Sequence, residues 1–389
     1  MRVRGRARYA IIRAMKKILS VVVFLAWTIS VAPVFAGDAD TPPFRLSPTK
    51  IPKCAKAHVC QNLPYGGRQV GKGAVHESVA QTYDLYLPGN LGEIDRSAPF
   101  YLFVHGGSWK HGSKGGRRAK MFAEMAEQGF VVASMNYVLC NDKLGGTHTF
   151  AEMLADIDAM VSHLPVLAKA AGISIPRIAL GGNSAGGHLV LLYAYDGANP
   201  SVLGLGLKHA VPVACVFTDC GPSDLASPEF IVAGLDWQKG SFDNWYGLLC
   251  VLAGGKYGQE DVSTTIERLT KHSPVTLLNG KCPPTICLFG ETGRVKTSGT
   301  FRRTKDGPAE TYADFWKLVG SKETPPESVG MDGIVAVQNY VALTNGLTRA
   351  GVPFAARLEP YRHCKILSSK PETRPWLYEN LKKYLKATP

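Results

Sequence analysis

A serine flanked by two glycines, in Gly182-Asn183-Ser184-Ala185-Gly186, lies between the apolar run Ile178-Ala179-Leu180 and the apolar stretch Leu189-Val190-Leu191-Leu192-Tyr193. A buried strand, a sharp turn and a helix in that order hold a serine hydroxyl clear of the backbone, and glycines two positions to either side let the chains pass closely. The first N–H groups of such a helix have no partner within it and point to where an oxyanion would form. Upstream, Phe100-Tyr101-Leu102-Phe103-Val104 reads as a buried strand running into His105-Gly106-Gly107-Ser108-Trp109, a glycine-rich turn that exposes more backbone donors. The N–H groups of Gly107, Ser108 and Ala185 are the expected holders of a carbonyl oxygen gaining charge, and loss of one such donor raises a barrier by about 2.7–4 kcal/mol. The chemistry these residues can do is acyl transfer, with Ser184 as nucleophile.

A serine needs a base. There are 10 histidines, and position singles out His363, on the polar loop that follows the strand-like Pro353-Phe354-Ala355-Ala356-Arg357-Leu358. From the end of the last major strand an imidazole can swing over the nucleophile, take its proton near neutral pH and return it to the leaving group. No cysteine occupies a comparable turn, so the serine carries the nucleophilic reading.

From residue 81 to the C-terminus the chain resembles the α/β-hydrolase superfamily, in particular the esterase branch with a His-Gly-Gly-x-Trp oxyanion loop, which includes lipase-like and feruloyl-esterase-like enzymes and kynurenine formamidases. The matching pieces are Tyr83-Asp84-Leu85-Tyr86-Leu87-Pro88, the loop from His105 to Trp109, Asn136-Tyr137, the segment from Gly182 to His188, Ser273-Pro274, Pro283-Pro284-Thr285 and His363. The resemblance implies an α/β fold with a mostly parallel sheet, a Ser-His-Asp triad, carboxylic ester hydrolysis and no cofactor. In one respect the chain departs from the pattern. The aspartate that usually follows the strand ending at Gly290 is replaced by Glu291-Thr292-Gly293-Arg294, whereas Met331-Asp332-Gly333-Ile334-Val335 resembles the segment that normally comes next. Asp332 is therefore the expected acid, with residues 292–330 inserted before it, and Glu291 is the alternative. Either carboxylate would fix the imidazole tautomer and stabilise its charged form.

The elements that must position these residues alternate along the chain. Strands are expected near 82–87, 100–104, 131–137, 177–180, 211–217, 285–289 and 354–358, with helices near 118–128, 150–170, 185–195, 335–349 and 372–386. That alternation implies a mostly parallel sheet covered on both faces, active residues standing at the strands' carboxyl ends. Two long excursions interrupt it, residues 226–270 with Trp237, Trp245 and Tyr246, and residues 292–330 with Phe315 and Trp316. Both belong on the active-site side as lids or binding walls. Their aromatic residues either stack on an aromatic acyl group or a sugar, or bury a small core of their own.

Length and composition agree: 389 residues, 45% of them hydrophobic, can bury one large core. The net charge of +13 includes seven bases and no acid before Gly37, and the other 37 bases face 31 acids, leaving +6. That excess is too small and scattered for nucleic acid. Residues 1–36 read as a secretory signal with Met15 as a candidate true start: Lys16-Lys17, an apolar run from 18 to 31 and Pro33-Val34-Phe35-Ala36. The run is short for a membrane span, so the expected product is an exported domain of residues 37–389 with no stable span, a retained N-terminal anchor being the alternative. Nine cysteines leave at least one unpaired, and the pairs close in sequence are Cys54/Cys60, Cys215/Cys220 and Cys282/Cys287. None has zinc-knuckle spacing, so no metal is expected. Cys364, beside the base, is either reactive or disulfide-bonded. The expected substrate is a small-molecule or polysaccharide-linked ester. An amidase or peptidase would use the same residues, and a catalytically inactive binding protein follows if the displaced acid fails to reach His363.

Overall fold

The apolar runs pair into a nine-stranded sheet in the computed structural model, which describes residues 45–68, 79–116, 118–141, 147–319 and 324–386. The strands are β1 (Thr49–Lys50), β2 (His58–Pro64), β3 (Thr82–Leu87), β4 (Phe100–Val104), β5 (Val131–Met135), β6 (Ile178–Asn183), β7 (Val213–Asp219), β8 (Thr285–Gly290), β9 (Gly293–Lys296), β10 (Thr300–Phe301), β11 (Glu310–Thr311), β12 (Ser328–Met331) and β13 (Phe354–Glu359). The main sheet has the order β1-β2-β3-β5-β4-β6-β7-β8-β13. Its first four strands pair antiparallel, and from β5 onward every pairing is parallel. The chain has the α/β-hydrolase fold expected of it.

The helices are α1 (Ala119–Glu127), α2 (Phe150–Ala171), α3 (Ala185–Asp196), α4 (Pro228–Trp237), α5 (Leu248–Leu252), α6 (Val262–Lys271), α7 (Tyr312–Leu318), α8 (Gln338–Ala350), α9 (Ile366–Ser369) and α10 (Thr373–Lys386). Alternate strand residues Tyr101, Phe103, Ala179, Cys215, Phe217, Ile286 and Leu288 join Met121 and Phe122 of α1 and Leu377 and Leu381 of α10 in one core. Side chains alternate across a strand, so Leu102, Leu180 and Val216 face the other way. α2 begins at a capping box, where Glu152 accepts the Thr149 N–H at 2.8 Å, and ends on Gly172 in the left-handed region at φ 68°. Every residue of α3 is buried, as befits the helix that carries the nucleophile turn through the centre of the molecule.

Some expectations shift. α8 starts at Gln338, not near 335, because Val335 N–H is taken by the Asp332 carboxylate and Ala336 bridges to Met331. β1, β2 and the short strands β9 to β12 add to the expected set. The aromatic residues of the two excursions form a core of their own: Trp245, Tyr246, Phe315 and Trp316 are all buried. Phe242 from the first excursion stacks on Phe301 of the second at 5.5 Å, and Tyr246 meets Phe315 edge-on at 5.6 Å. Aromatic pairs in these geometries are favoured beyond their buried area, so the two excursions are packed into one cap. The stretch 1–36 lies outside the described residues, and among those described no helix is long and apolar enough to cross a membrane.

Candidate active site

Ser184 sits between β6 and α3 with φ 52° and ψ −124°, a conformation a non-glycine residue holds only under constraint. The constraint is the crowding of its neighbours. A side chain on Gly182 would place its Cβ 2.4 Å from the Gly186 carbonyl carbon, and one on Gly186 would come 2.1 Å from the Val104 carbonyl oxygen. The turn is then pinned from the next strand, since Ser184 N–H donates to the Asp219 carbonyl at 2.8 Å.

His363 reaches this turn from the loop after β13. Its Nε2 lies 2.8 Å from Ser184 Oγ and its Nδ1 2.7 Å from Asp332 Oδ2. His363 N–H also donates to the Asp332 carbonyl at 2.8 Å, and Asp332 Oδ1 accepts from the N–H groups of Ile334 and Val335 at 3.0 and 2.9 Å. One carboxylate oxygen is thus held by backbone donors and the other faces the imidazole. With Nδ1–H donating to Asp332, Nε2 is left with a lone pair for the serine proton, the arrangement that acyl transfer by a serine requires.

The excursion from 292 to 330 explains how a carboxylate so far along the chain arrives here. β9 leaves directly after β8 and β12 returns antiparallel beside it, Gly293 opposite Met331, while Thr292 N–H donates to the Met331 carbonyl at 3.0 Å. The insertion closes on its own stem and delivers Asp332 next to the end of β8. Glu291 stays on that stem: its carboxylate lies against Gly330, and its N–H donates to the Glu359 carbonyl at 2.9 Å. No hydrogen bond joins it to His363 among the described residues.

The loop from His105 to Trp109 lies across the turn. Gly107, Ser108 and Trp109 have φ of 125°, 52° and 58°. Gly106 N–H is used by Asn183 Oδ1 at 3.1 Å, and the Gly107 carbonyl accepts from Lys110 and His111. Trp109 is buried edge-on to Phe150 at 5.5 Å and His188 at 5.4 Å, which anchors the loop to α2 and α3. Among the described residues the N–H groups of Gly107, Ser108 and Ala185 have no acceptor.

A family model, BD-FAE, matches residues 83–296, more than half of the 389 residues. The chain belongs to the BD-FAE family. The matched stretch holds the oxyanion-type loop and Ser184 but ends with β9, so Asp332 and His363 of this BD-FAE chain are brought in by geometry beyond it. Esterase LipC of Mycobacterium tuberculosis is 29% identical over 105 residues, 27% of this chain and 25% of LipC; the match spans about a quarter of that relative's length. Many solved structures share the fold, two of them being these. Esterase B from Lactobacillus rhamnosis aligns with a TM-score of 0.55 at 18% identity over 86% of this chain and 89% of its own. A truncated carbohydrate esterase from gut microbiota aligns with 0.57 at 15% over 85% and 96%.

Sequence reasoning did not place Asp219, Cys220 and Arg118 at this site. Asp219 ends β7 fully buried, paired with Arg118, and burial, aided by the negative charge of Cys364 and opposed by Arg118, pushes its carboxyl up to about 6. No sequence signal points to them, because they meet Ser184 only through the order of the strands. All nine cysteines are unbonded. Cys215 and Cys220, like Cys282 and Cys287, lie along or beside an extended strand, where five residues span roughly 16 Å, well beyond disulfide reach. What the fold brings together is Cys220 and Cys364, whose sulfurs lie with a His363 ring nitrogen within 4.8 Å of one another.

The buried histidines of this BD-FAE chain make its stability pH-dependent. Burial holds His105 down to about 4 and His188 to about 3, the Gly106 and His272 carbonyls only partly opposing. An unfolded imidazole titrates near ~6.5. Burial holds His163 at about 4 as well, so as pH falls from about 6.5 to about 4 the unfolded chain takes up protons at His105, His163 and His188 that the fold refuses, while Asp219 gives the fold one proton that the unfolded chain takes only later. The balance destabilises the fold as the pH approaches 4. The urea midpoint is expected to fall steadily between pH 6.5 and 4.5, and less steeply in His188→Gln; a midpoint that holds or rises over that interval refutes the account.

Proposed function

We propose that this protein is an exported serine hydrolase that cleaves carboxylic esters through an acyl-enzyme. The observation that carries the reading is the continuous chain Ser184 Oγ, His363, Asp332, with contacts of 2.8 and 2.7 Å, at the carboxyl end of β6. His363 takes the Ser184 proton as Oγ attacks the ester carbonyl, and the N–H groups of Gly107, Ser108 and Ala185 receive the developing oxyanion. His363, now charged and steadied by Asp332, protonates the leaving alcohol. It then activates a water that releases the acid. The residues supply nucleophile, base and oxyanion donors, so the cycle as written uses no cofactor. The reading of residues 1–36 as a secretory signal supports export, and the proposed substrate is a small-molecule or polysaccharide-linked ester.

The test is covalent. A p-nitrophenyl alkylphosphonate should release one equivalent of p-nitrophenol per chain, add its phosphonyl group to the peptide containing Ser184 and abolish hydrolysis of p-nitrophenyl butyrate in step. Labelling elsewhere, or hydrolysis that survives full labelling of Ser184, would sink the assignment. A phosphonate adduct without measurable turnover of any short ester would favour the inactive binding protein.

A further inference from the structure

Both cysteines beside the histidine sit in unusual backbone. Cys220, the residue after β7, has φ 56°, and Cys364, the residue after His363, has φ 52°. Each is held there by specific contacts. Cys220 N–H donates to the Leu288 carbonyl at 2.8 Å. Cys364 N–H donates to Cys220 Sγ at 3.4 Å, and Cys364 Sγ lies 3.4 Å from the Asp219 carbonyl, the same oxygen that accepts the Ser184 N–H. The histidine loop, the end of β7 and the nucleophile turn therefore meet at two sulfur atoms that are 144 residues apart in sequence.

We propose that Cys220 and Cys364 form a reversible dithiol–disulfide couple that fastens the histidine loop to the end of β7, the oxidised form arising by exchange with a low-molecular-weight disulfide. The two sulfurs are unequal in the way exchange needs. Cys364 is partly accessible and Cys220 is buried. Burial opposes the Cys364 thiolate, but the Cys220 thiol, His363 and Arg118 outweigh it and hold Cys364 well below the ordinary thiol range; burial and Cys364 beside it hold Cys220 well above it. Cys364 as thiolate attacks one sulfur of the external disulfide and expels the first thiolate. Cys220 then loses its proton to solvent and attacks the Cys364 sulfur, expelling the second. The protein loses two electrons and the external disulfide gains them, leaving two thiols. A bound soft metal is the rival use of these sulfurs. It is disfavoured because both nitrogens of His363 are already engaged, by Ser184 and Asp332, so a metal would find two sulfurs and no imidazole without dismantling the site. Any effect on turnover rests on the esterase reading; the couple itself does not.

The experiment treats the full chain with oxidised glutathione, alkylates the remaining thiols and maps the peptides. The expected result is one linked pair, Cys220 with Cys364, lighter by two hydrogens, and a melting midpoint higher by roughly 5 °C, both reversed by dithiothreitol. Cys220→Ser should instead trap glutathione on Cys364, and Cys364→Ser should leave Cys220 unmodified. Should either variant fail to fold, the wild-type map decides alone. The proposal is overturned if both cysteines remain alkylatable after treatment, if either is linked elsewhere, or if added zinc chloride shields both from alkylation while oxidised glutathione does not join them. A linked pair in a protein that hydrolyses no ester would refute the esterase reading and leave the couple standing.

Discussion

Ser184→Ala is expected to lower kcat for p-nitrophenyl butyrate by about 10⁶-fold, and His363→Ala and the double variant by nearly the same factor. Serine and base act as one unit, since without Oγ there is nothing for Nε2 to deprotonate and without Nε2 the hydroxyl stays a weak nucleophile. The activity that survives should be the contribution of the oxyanion donors and of binding, roughly 10³–10⁴ over water. The fold should tolerate the change, because Ser184 is held through its N–H to Asp219 and the glycines around it, not through its hydroxyl. Activity within tenfold of wild type in either single variant, or additive losses in the double variant, would mean that some other group performs the chemistry.

The second large effect separates the two candidate acids. Asp332→Asn should reduce kcat by about 10⁴-fold, whereas Glu291→Gln should stay within tenfold. The asparagine keeps its carbonyl oxygen on the N–H groups of Ile334 and Val335, where Asp332 Oδ1 now accepts. Its amide N–H₂ then faces His363 Nδ1. Two donors cannot share that contact, so the ring turns to the tautomer with the proton on Nε2, which cannot take one from Ser184. Thermal melting measured beside kcat distinguishes this from unfolding. Equal losses in both variants, or the larger loss in Glu291→Gln, would reassign the acid.

How much of the site is legible in the sequence depends on how local each feature is. The strand, turn and helix around Ser184 lie within some twenty consecutive residues, and Gly182 is crowded by Gly186 four positions on, so spacing indicates the conformation, although the contact that requires Gly186 comes from Val104 on another strand. The loop from His105 to Trp109 is equally local. Assigning Asp332 takes more, namely the likeness of residues 331–335 to the segment expected beyond an absent aspartate, and the β9–β12 stem shows physically why this carboxylate arrives beside His363. The start of α8 is hidden because Val335 and Ala336 are apolar enough to continue a helix, yet their backbone groups are taken by Asp332 and Met331. The aromatic residues of the excursions look available to a substrate because composition does not reveal that Phe242 and Tyr246 find Phe301 and Phe315 across a gap of more than fifty residues.

By itself the sequence determined the α/β alternation, the strained turn that presents Ser184, the glycine-rich donor loop and a histidine after the last strand, because each depends on short-range periodicity or on backbone freedom at named glycines. Only the tertiary structure decided which carboxylate meets His363, that the two excursions pack as one cap, and that Asp219, Arg118 and the sulfurs of Cys220 and Cys364 gather beneath the nucleophile. Those are consequences of strand order. β6, β7, β8 and β13 are neighbours in space while their ends are separated by tens of residues in the chain, and no local pattern records which loops a parallel sheet will bring side by side.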